Sequence, residues 1–147
     1  LIPADKEYYI HHFTIQKGTN YYGLIFGTSH TLGMEKFVKV CWMEDKNSGE
    51  SNCNIDNDFE KDSLFYDPTN TAKKLRIKDE LLRLILSGKI KSNVEGLKWV
   101  LSCGCEPNLF IEAVNTLVAQ KKVAIQGKFN KQSSNIHKVE EYKIEVL

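Results

Sequence analysis

The sequence has 147 residues, of which 41% are hydrophobic and 27% are charged, and its 20 basic and 19 acidic side chains give a net charge of +1. This composition excludes an intrinsically disordered chain and predicts one globular domain or two very small ones. No apolar run approaches the roughly 18 residues that a membrane helix needs, and no signal-peptide pattern is present, so we expect a cytoplasmic protein with no membrane contact.

The near-zero net charge conceals an uneven distribution along the chain. Residues 1–70 contain 6 Lys/Arg and 11 Asp/Glu, whereas residues 71–147 contain 14 and 8. This asymmetry predicts two regions with different roles. The chain also begins with Leu1 in place of Met and runs at once into a strand-like segment, which predicts a fragment of a longer protein.

The acidic half starts with two segments rich in aromatic and β-branched residues, 8–15 and 21–28. They predict a β-hairpin with a five-residue loop at 16–20. From residue 32 to about 45 the apolar residues follow helical spacing, and Ser29 or Thr31 is the expected N-cap. The acidic, polar segment that follows is interpreted as a linker or mobile loop. The predicted organisation is therefore 1–45, a linker at 46–70, and a second domain at 71–147.

The basic half has a regular order of predicted elements. An apolar helix ends at Gly88, a short strand covers 89–91, and a Ser92–Glu95 capping box begins a second helix. Pro107 opens a third helix to about Gln120, and segments 122–126 and 137–146 form a closing hairpin. The predicted fold class is α+β: an N-terminal β-hairpin plus helix, followed by a winged helix-turn-helix domain with three helices and a β-wing.

In such a domain the helix that starts at Pro107 is in the recognition position and the hairpin tip is the wing. Contacts to nucleic acid, DNA foremost, are predicted for residues of this helix, its end and the wing: Asn108, Asn115, Thr116, Lys121, Lys122, Lys128, Asn130, Lys131, Gln132 and Lys138. Glu106 and Glu112 put negative charge where phosphates would approach. The sequence therefore leaves open whether the partner is nucleic acid or a protein.

Other reactive residues predict no catalytic, metal or cofactor site. Cys103 and Cys105, even with His137, have a spacing that is less typical of zinc than C-x-x-C, so buried thiols in a turn are favoured. His11 and His12 are neighbours on a strand, which predicts one packed and one exposed ring. Ser29-His30 lies at a strand–helix junction, with no acid at the spacing of a catalytic triad.

The run YYGLIFGTSHTLGMEKFVKVCW, residues 21–42, resembles the end of the globular part of the three-Cys-motif partner proteins (TcmP family). In that family an aromatic strand is followed by a polar turn, Leu-Gly, a helix that begins Met-Glu-Lys or Leu-Glu-Lys, and a Trp. Gly27 stands where Ala is usual. The matching residues are Tyr22, Leu24, Ile25, Phe26, Thr28, Leu32, Gly33, Met34, Glu35, Lys36 and Trp42.

This resemblance implies a Rossmann-type, methyltransferase-like lobe upstream, with the hairpin as its last two strands and a winged helix at its C-terminal end. It also implies a radical-type protein partner that carries three cysteines. A cofactor loop would lie before Leu1, so this chain is predicted to be a non-enzymatic winged-helix module that binds nucleic acid or a protein. The alternative is the tail of a methyltransferase-like enzyme.

Overall fold

The computed structural model describes residues 7–53, 72–128 and 140–147. The chain divides into two compact units, Leu1–Leu75 and Arg76–Leu147. The fold is mixed α+β: an N-terminal antiparallel hairpin precedes the helices, and a second small sheet follows them, as the sequence predicted at this level. The elements are β1 (Tyr9–Lys17), β2 (Asn20–Thr28), α1 (Thr31–Glu44), α2 (Ala72–Leu86), α3 (Asn93–Ser102), α4 (Asn108–Ala119), β3 (Val123–Gln126) and β4 (Lys143–Val146).

The β1–β2 hairpin is longer and its turn tighter than the sequence predicted. Lys17 pairs with Asn20, so the loop contains two residues and the five-residue prediction is wrong. Gly18 has a φ of 63° and Thr19 has a negative φ, which is the pattern of a type II′ turn. This turn matches the twist of antiparallel strands, and the polar residues assigned to the loop instead extend the ladder.

One face of β1 and the inner side of α1 form the core of the first unit. Tyr9 and Phe13 on the strand and Met34 and Val38 on the helix are buried. Phe26 of β2 stacks on Phe37 with ring centroids 4.5 Å apart. The predicted helix is confirmed. Its predicted cap is wrong, because the N-cap is His30 and makes no side-chain capping bond.

The two adjacent histidines lie on opposite faces of β1, as the sequence predicted. His12 is exposed, whereas His11 is buried and meets the ring of Phe37 edge-on at 5.9 Å. The Nε2 atom of His11 is buried and has no hydrogen-bond partner among the described residues.

Asp45 organises the loop that follows α1, inside the range interpreted as a linker. Its carboxylate accepts hydrogen bonds from the Asn47 N–H at 2.9 Å and the Ser48 hydroxyl at 2.7 Å. Burial raises the pKa of Asp45, but bonds from Ser48, Asn47 and Glu50 outweigh it, so the pKa lies below its usual 3.8. The loop then returns to the edge of β1. Residues 46–53 therefore form a hydrogen-bonded loop of the first unit, and the rest of the predicted linker lies outside the described residues.

Trp42 joins α1, this loop and the first turn of α2. Its indole ring lies so close to Gly49 that an added Cβ there would come within 2.8 Å of Nε1. Lys74 Nζ lies 4.4 Å from the centroid of the Trp42 ring. Lys73, whose side chain is 9% exposed, donates to the Ser48 carbonyl at 2.9 Å and to Glu50 Oε1 at 2.5 Å. All of these contacts lie within the first unit.

The end of α2 follows the sequence prediction. Gly88 has a φ of 68°, its N–H donates to the Ile85 carbonyl, and the Lys89 N–H donates to the Leu84 carbonyl. These two bonds define a Schellman motif, which satisfies carbonyls that have no partner inside the helix. No helix in the described ranges has the length and hydrophobicity of a membrane span.

Ser92 caps α3 as predicted, and its hydroxyl accepts from the Glu95 N–H at 3.3 Å. The Glu95 carboxylate accepts from the Lys91 N–H at 2.7 Å, one residue before the expected donor. Residues 89–91 do not form a regular strand, so this prediction is wrong. The end of this segment nevertheless pairs with β4, because the Ile144 N–H donates to the Lys91 carbonyl at 2.8 Å and Ser92 bridges Lys143.

Asn93, the first residue of α3, is 1% exposed and ties this helix to β4. Its Oδ1 accepts from the Tyr142 N–H at 2.8 Å, and its Nδ2 donates to the Glu140 carbonyl at 2.9 Å. Its backbone N–H donates to the Tyr142 carbonyl at 3.2 Å. Both ends of a buried amide are thus satisfied by one chain segment.

Helices α3 and α4 approach closely at Gly96. A Cβ at this position would overlap the ring of Phe110, which is fully buried. Leu97, Val100 and Leu101 from α3 and Val114 and Leu117 from α4 complete the core of the second unit. The predicted buried faces of these two helices are confirmed for these residues.

We expect Asn93→Ala to destabilise the second unit by about 2–4 kcal/mol, because it leaves the Tyr142 N–H and the Glu140 carbonyl without their partners. Urea denaturation with peptide-resolved hydrogen exchange would measure the loss in α3 and β4. Asn115→Ala, at a half-buried site on α4, is the matched control and should change stability by no more than about 0.5 kcal/mol. Equal effects of the two substitutions would contradict the prediction.

We expect the first unit to lose stability as the pH falls below about 6.5, the usual pKa of histidine. Burial lowers the pKa of His11 below its usual 6.5, and repulsion from Lys73 and His12 lowers it further. A hydrogen bond to the Gly49 backbone and attraction to Glu50 raise the pKa by a smaller amount. The unfolded chain therefore takes up this proton at a higher pH than the folded chain. The contribution of neutral His11 to stability is fully present above the pKa that this side chain has in the unfolded chain. It is lost as the pH falls through the lower pKa of the folded chain.

Thermal unfolding of His11→Leu at several pH values tests this dependence, which should be much weaker in that variant. His12→Gln, at the exposed neighbouring position, should keep it. Asp45 does not confuse the result, because its pKa lies below 3.8 and it titrates in a more acidic range. An unchanged pH dependence in His11→Leu would refute the assignment.

Candidate nucleic-acid interface

The predicted recognition helix, α4, buries most of its surface. Pro107, in helical conformation at φ −55°, is the N-cap, so α4 begins at Asn108, one residue later than the sequence predicted. The buried residues of α4 are Leu109, Phe110, Ile111, Ala113, Val114 and Leu117. This leaves a narrow outer strip, in which Asn108 and Glu112 are exposed and Asn115 and Thr116 are half-buried.

Two of the polar side chains on this strip are engaged locally. The Thr116 hydroxyl donates to the Glu112 carbonyl at 2.8 Å, inside its own helix. Glu112 Oε2 lies 3.7 Å from Lys78 Nζ of α2, so its charge is partly neutralised. Asn108 therefore offers the most accessible amide of the predicted set at the start of α4.

The turn after α4 has an unusual backbone. Lys121 has a φ of 54°, in the left-handed region. Its N–H donates to the Val118 carbonyl at 3.0 Å, and the Lys122 N–H donates to the Leu117 carbonyl at 3.0 Å. This is a second Schellman motif, with Lys where Gly is usual. Lys121 and Lys122 are both exposed, directly before β3.

The wing residues divide into one described residue and four others. Lys128 is exposed, and its Nζ lies 4.0 Å from Glu140 Oε2 in an ion pair that contributes little at such exposure. Asn130, Lys131, Gln132 and Lys138 lie outside the described residues.

The excess of basic residues is smaller in the second unit than in the half defined by sequence. Arg76–Leu147 contains 12 Lys/Arg and 8 Asp/Glu. Lys73 and Lys74 belong to the first unit, where they contact Trp42. The exposed lysines around α4 and β3 are therefore a better guide to a nucleic-acid interface than the net charge of the second half of the sequence.

Sequence reasoning missed Asn93, which anchors the segment that leads into β4. Its only signal was a place next to a capping Ser, which does not indicate a long-range contact.

Cys105 is buried and Cys103 partly buried in the turn before α4. Among the described residues no group of three or more His, Cys, Asp or Glu side chains is placed to hold a metal ion, and His137 lies outside them.

At the strand–helix junction of the first unit, the backbone N–H of His30 donates to Thr28 Oγ1 at 3.1 Å. His30 thus has a structural position as the N-cap of α1. No protein-family model matches this chain, and no match is found among curated proteins or solved structures. The resemblance to the three-Cys-motif partner proteins stays a prediction from the sequence.

We expect Lys121→Gly to stabilise the second unit by about 0.5–1 kcal/mol, because a Cβ in the left-handed region is strained and glycine is not. Gly88→Ala is the mirror control at the equivalent position after α2. It has open space for a Cβ but a φ of 68°, so it should destabilise by a similar amount. Urea denaturation measures both, and a stability loss in Lys121→Gly would show that its side chain contributes more than the strain costs.

Proposed function

We propose that Arg76–Leu147 is a winged helix-turn-helix module that binds duplex DNA through α4, the turn after it and the wing. The observation that carries the proposal is backbone pairing between residues 91–93 and 142–144. It adds a short third segment to the β3–β4 sheet, and this segment lies between α2 and α3 in the chain. The order helix, short strand, helix, helix, hairpin is typical of winged helices.

The exposed side chains support a mode of contact with phosphates. Lys121 and Lys122 precede β3 and Lys128 follows it, so three cations flank one short strand. Lysines at such positions bind the DNA backbone and fix the orientation of a recognition helix. Asn108 at the start of α4 provides a donor and an acceptor for a base edge. The Lys78–Glu112 pair reduces the repulsion that Glu112 alone would cause.

The experiment is binding of the whole chain to duplex DNA over a range of salt concentrations. Affinity should fall as salt rises, because phosphate contacts release counterions. The double variant Lys121→Gly/Lys122→Gln should bind more weakly, and its log–log salt slope should be smaller by about 1–2. The Lys121→Gly change is expected to stabilise the fold, so weaker binding would not come from unfolding.

The matched control is Lys36→Gln/Lys39→Gln, which removes two exposed lysines from α1 in the first unit. It should leave both affinity and slope unchanged. Equal losses of affinity in the two double variants would show that binding depends only on net charge. That result would contradict a specific binding surface on the second unit. Absence of salt-dependent binding would refute the proposal and favour the alternative, a protein partner that docks on the strip around Glu112.

A further inference from the structure

Strand β2 exposes apolar side chains on both of its faces. Tyr21 is 62% and Ile25 is 76% exposed, and Tyr22 and Leu24 are each about half exposed. No charged residue occurs from Asn20 to Met34. Proteins usually protect a free strand edge with charges, proline or a bulge, because an unprotected edge pairs with other strands. Strand β2 has none of these protections, so its free edge is suited to pairing with another strand.

The two edges of the hairpin differ. On β1, the Thr14 N–H donates to the Glu50 carbonyl at 2.7 Å and the Thr14 carbonyl accepts from the Asn52 N–H at 3.0 Å, so the loop after α1 covers this edge. Opposite Thr14 lies Gly23, and with it Tyr21, Ile25 and Gly27 direct their backbone groups away from β1. Within the described ranges, these outward groups of β2 have no hydrogen-bond partner.

The spacing of glycines makes this edge complementary to itself. In an antiparallel pair of two β2 strands centred on Leu24, Gly23 lies opposite Ile25 and Gly27 lies opposite Tyr21. Each large side chain on this face thus meets a glycine across the pair. A Cβ added at Gly23 meets no atom within 4 Å, so the space there is open. At Gly27 an added Cβ would come within 3.0 Å of the Tyr8 ring, so Tyr21 of the second copy would meet this ring. On the other face Leu24 meets its own copy and Tyr22 meets Phe26.

Registers centred on Gly23 or Ile25, in which each residue's partner moves by two positions, lose this match. Centred on Ile25, they oppose two bulky Ile25 side chains and pair Gly23 with Gly27. Centred on Gly23, they oppose Tyr21 and Ile25 and pair Gly23 with itself. All three registers let the outward-pointing residues of both strands form hydrogen-bonded pairs, so the fit of the side chains decides between them.

We propose that β2 pairs antiparallel with β2 of a second copy of this chain, in two-fold register centred on Leu24. The product is a four-stranded sheet with β2 strands at its centre. The exposed parts of the apolar side chains amount to roughly 500 Å² per copy, since an aromatic side chain offers about 150–250 Å². Even if the dimer buries all of this area, the total of about 1,000 Å² is at the lower limit of specific interfaces, so the dimer is weak and forms at high protein concentration.

Sedimentation velocity over a concentration series, up to about 1 mM, tests the proposal. The chain should change reversibly from monomer to dimer. Ile25→Lys should abolish the dimer, because it replaces an apolar side chain of the contact with a charge on each copy, which is how natural edge strands prevent pairing. Met43→Lys is the control, since Met43 is 67% exposed on α1 in the same unit and outside the pair. It should dimerise like the parent chain, and unchanged circular dichroism verifies folding of both variants.

Cysteine crosslinking tests the register. Leu24→Cys should form a disulfide with its own copy on mild oxidation, because residues opposite each other in a non-hydrogen-bonded pair have Cα atoms about 4.5 Å apart. Ile25→Cys should not, because its copy lies two residues away along the strand. Peptide mass spectrometry separates this disulfide from bonds of the native cysteines. A chain that stays monomeric, a dimer that persists in Ile25→Lys, or crosslinking of Ile25→Cys in preference would each overturn the proposal.

Discussion

The second unit depends on the hydrogen bonds of a single buried amide, Asn93. A two-stranded sheet is marginally stable alone, and β3 and β4 pair over only four residues each. Asn93 holds the chain segment that leads into β4 through its side chain and its backbone N–H, and the neighbouring Lys91 carbonyl holds Ile144. The sheet is therefore fixed to the start of α3, and the surface that carries the lysines next to β3 has a rigid support.

The first unit also contains a two-stranded sheet, and a different side chain stabilises it. There the hairpin is longer, and a loop shaped by the Asp45 carboxylate supplies backbone partners to Thr14 of β1. Lys73 and Trp42 hold this loop from the other side. In both units a segment that is not a regular strand completes the smallest possible sheet, and a polar side chain bound to backbone groups fixes its position.

Sequence patterns predicted the elements whose cause is local. The periodic apolar residues of α1, α3 and α4, the glycine that ends α2 and the Ser92 cap are all read within one or two helical turns. The hairpin turn was mispredicted because composition indicates a turn but does not specify its length, and the type II′ turn needed only Gly18 and Thr19. Long-range partners such as Asn93 with Tyr142 are 49 residues apart and leave no local pattern.

The candidate interface was predictable in the same partial way. Spacing along α4 gave its buried face, and the exposure of Asn108, Lys121 and Lys122 followed. The left-handed backbone of Lys121 was not foreseeable, because lysine normally indicates no such conformation. The distribution of charge was also misleading, since Lys73 and Lys74 follow the basic pattern of the second half but pack in the first unit.

The contact between Gly96 and Phe110 has a consequence for how this protein varies among its relatives. No side chain fits at position 96 while a full aromatic ring occupies position 110. The two positions are therefore expected to change together in evolution, with a larger residue at one accompanied by a smaller residue at the other. Such paired replacement would identify distant relatives of the second unit even where the surface residues share no resemblance.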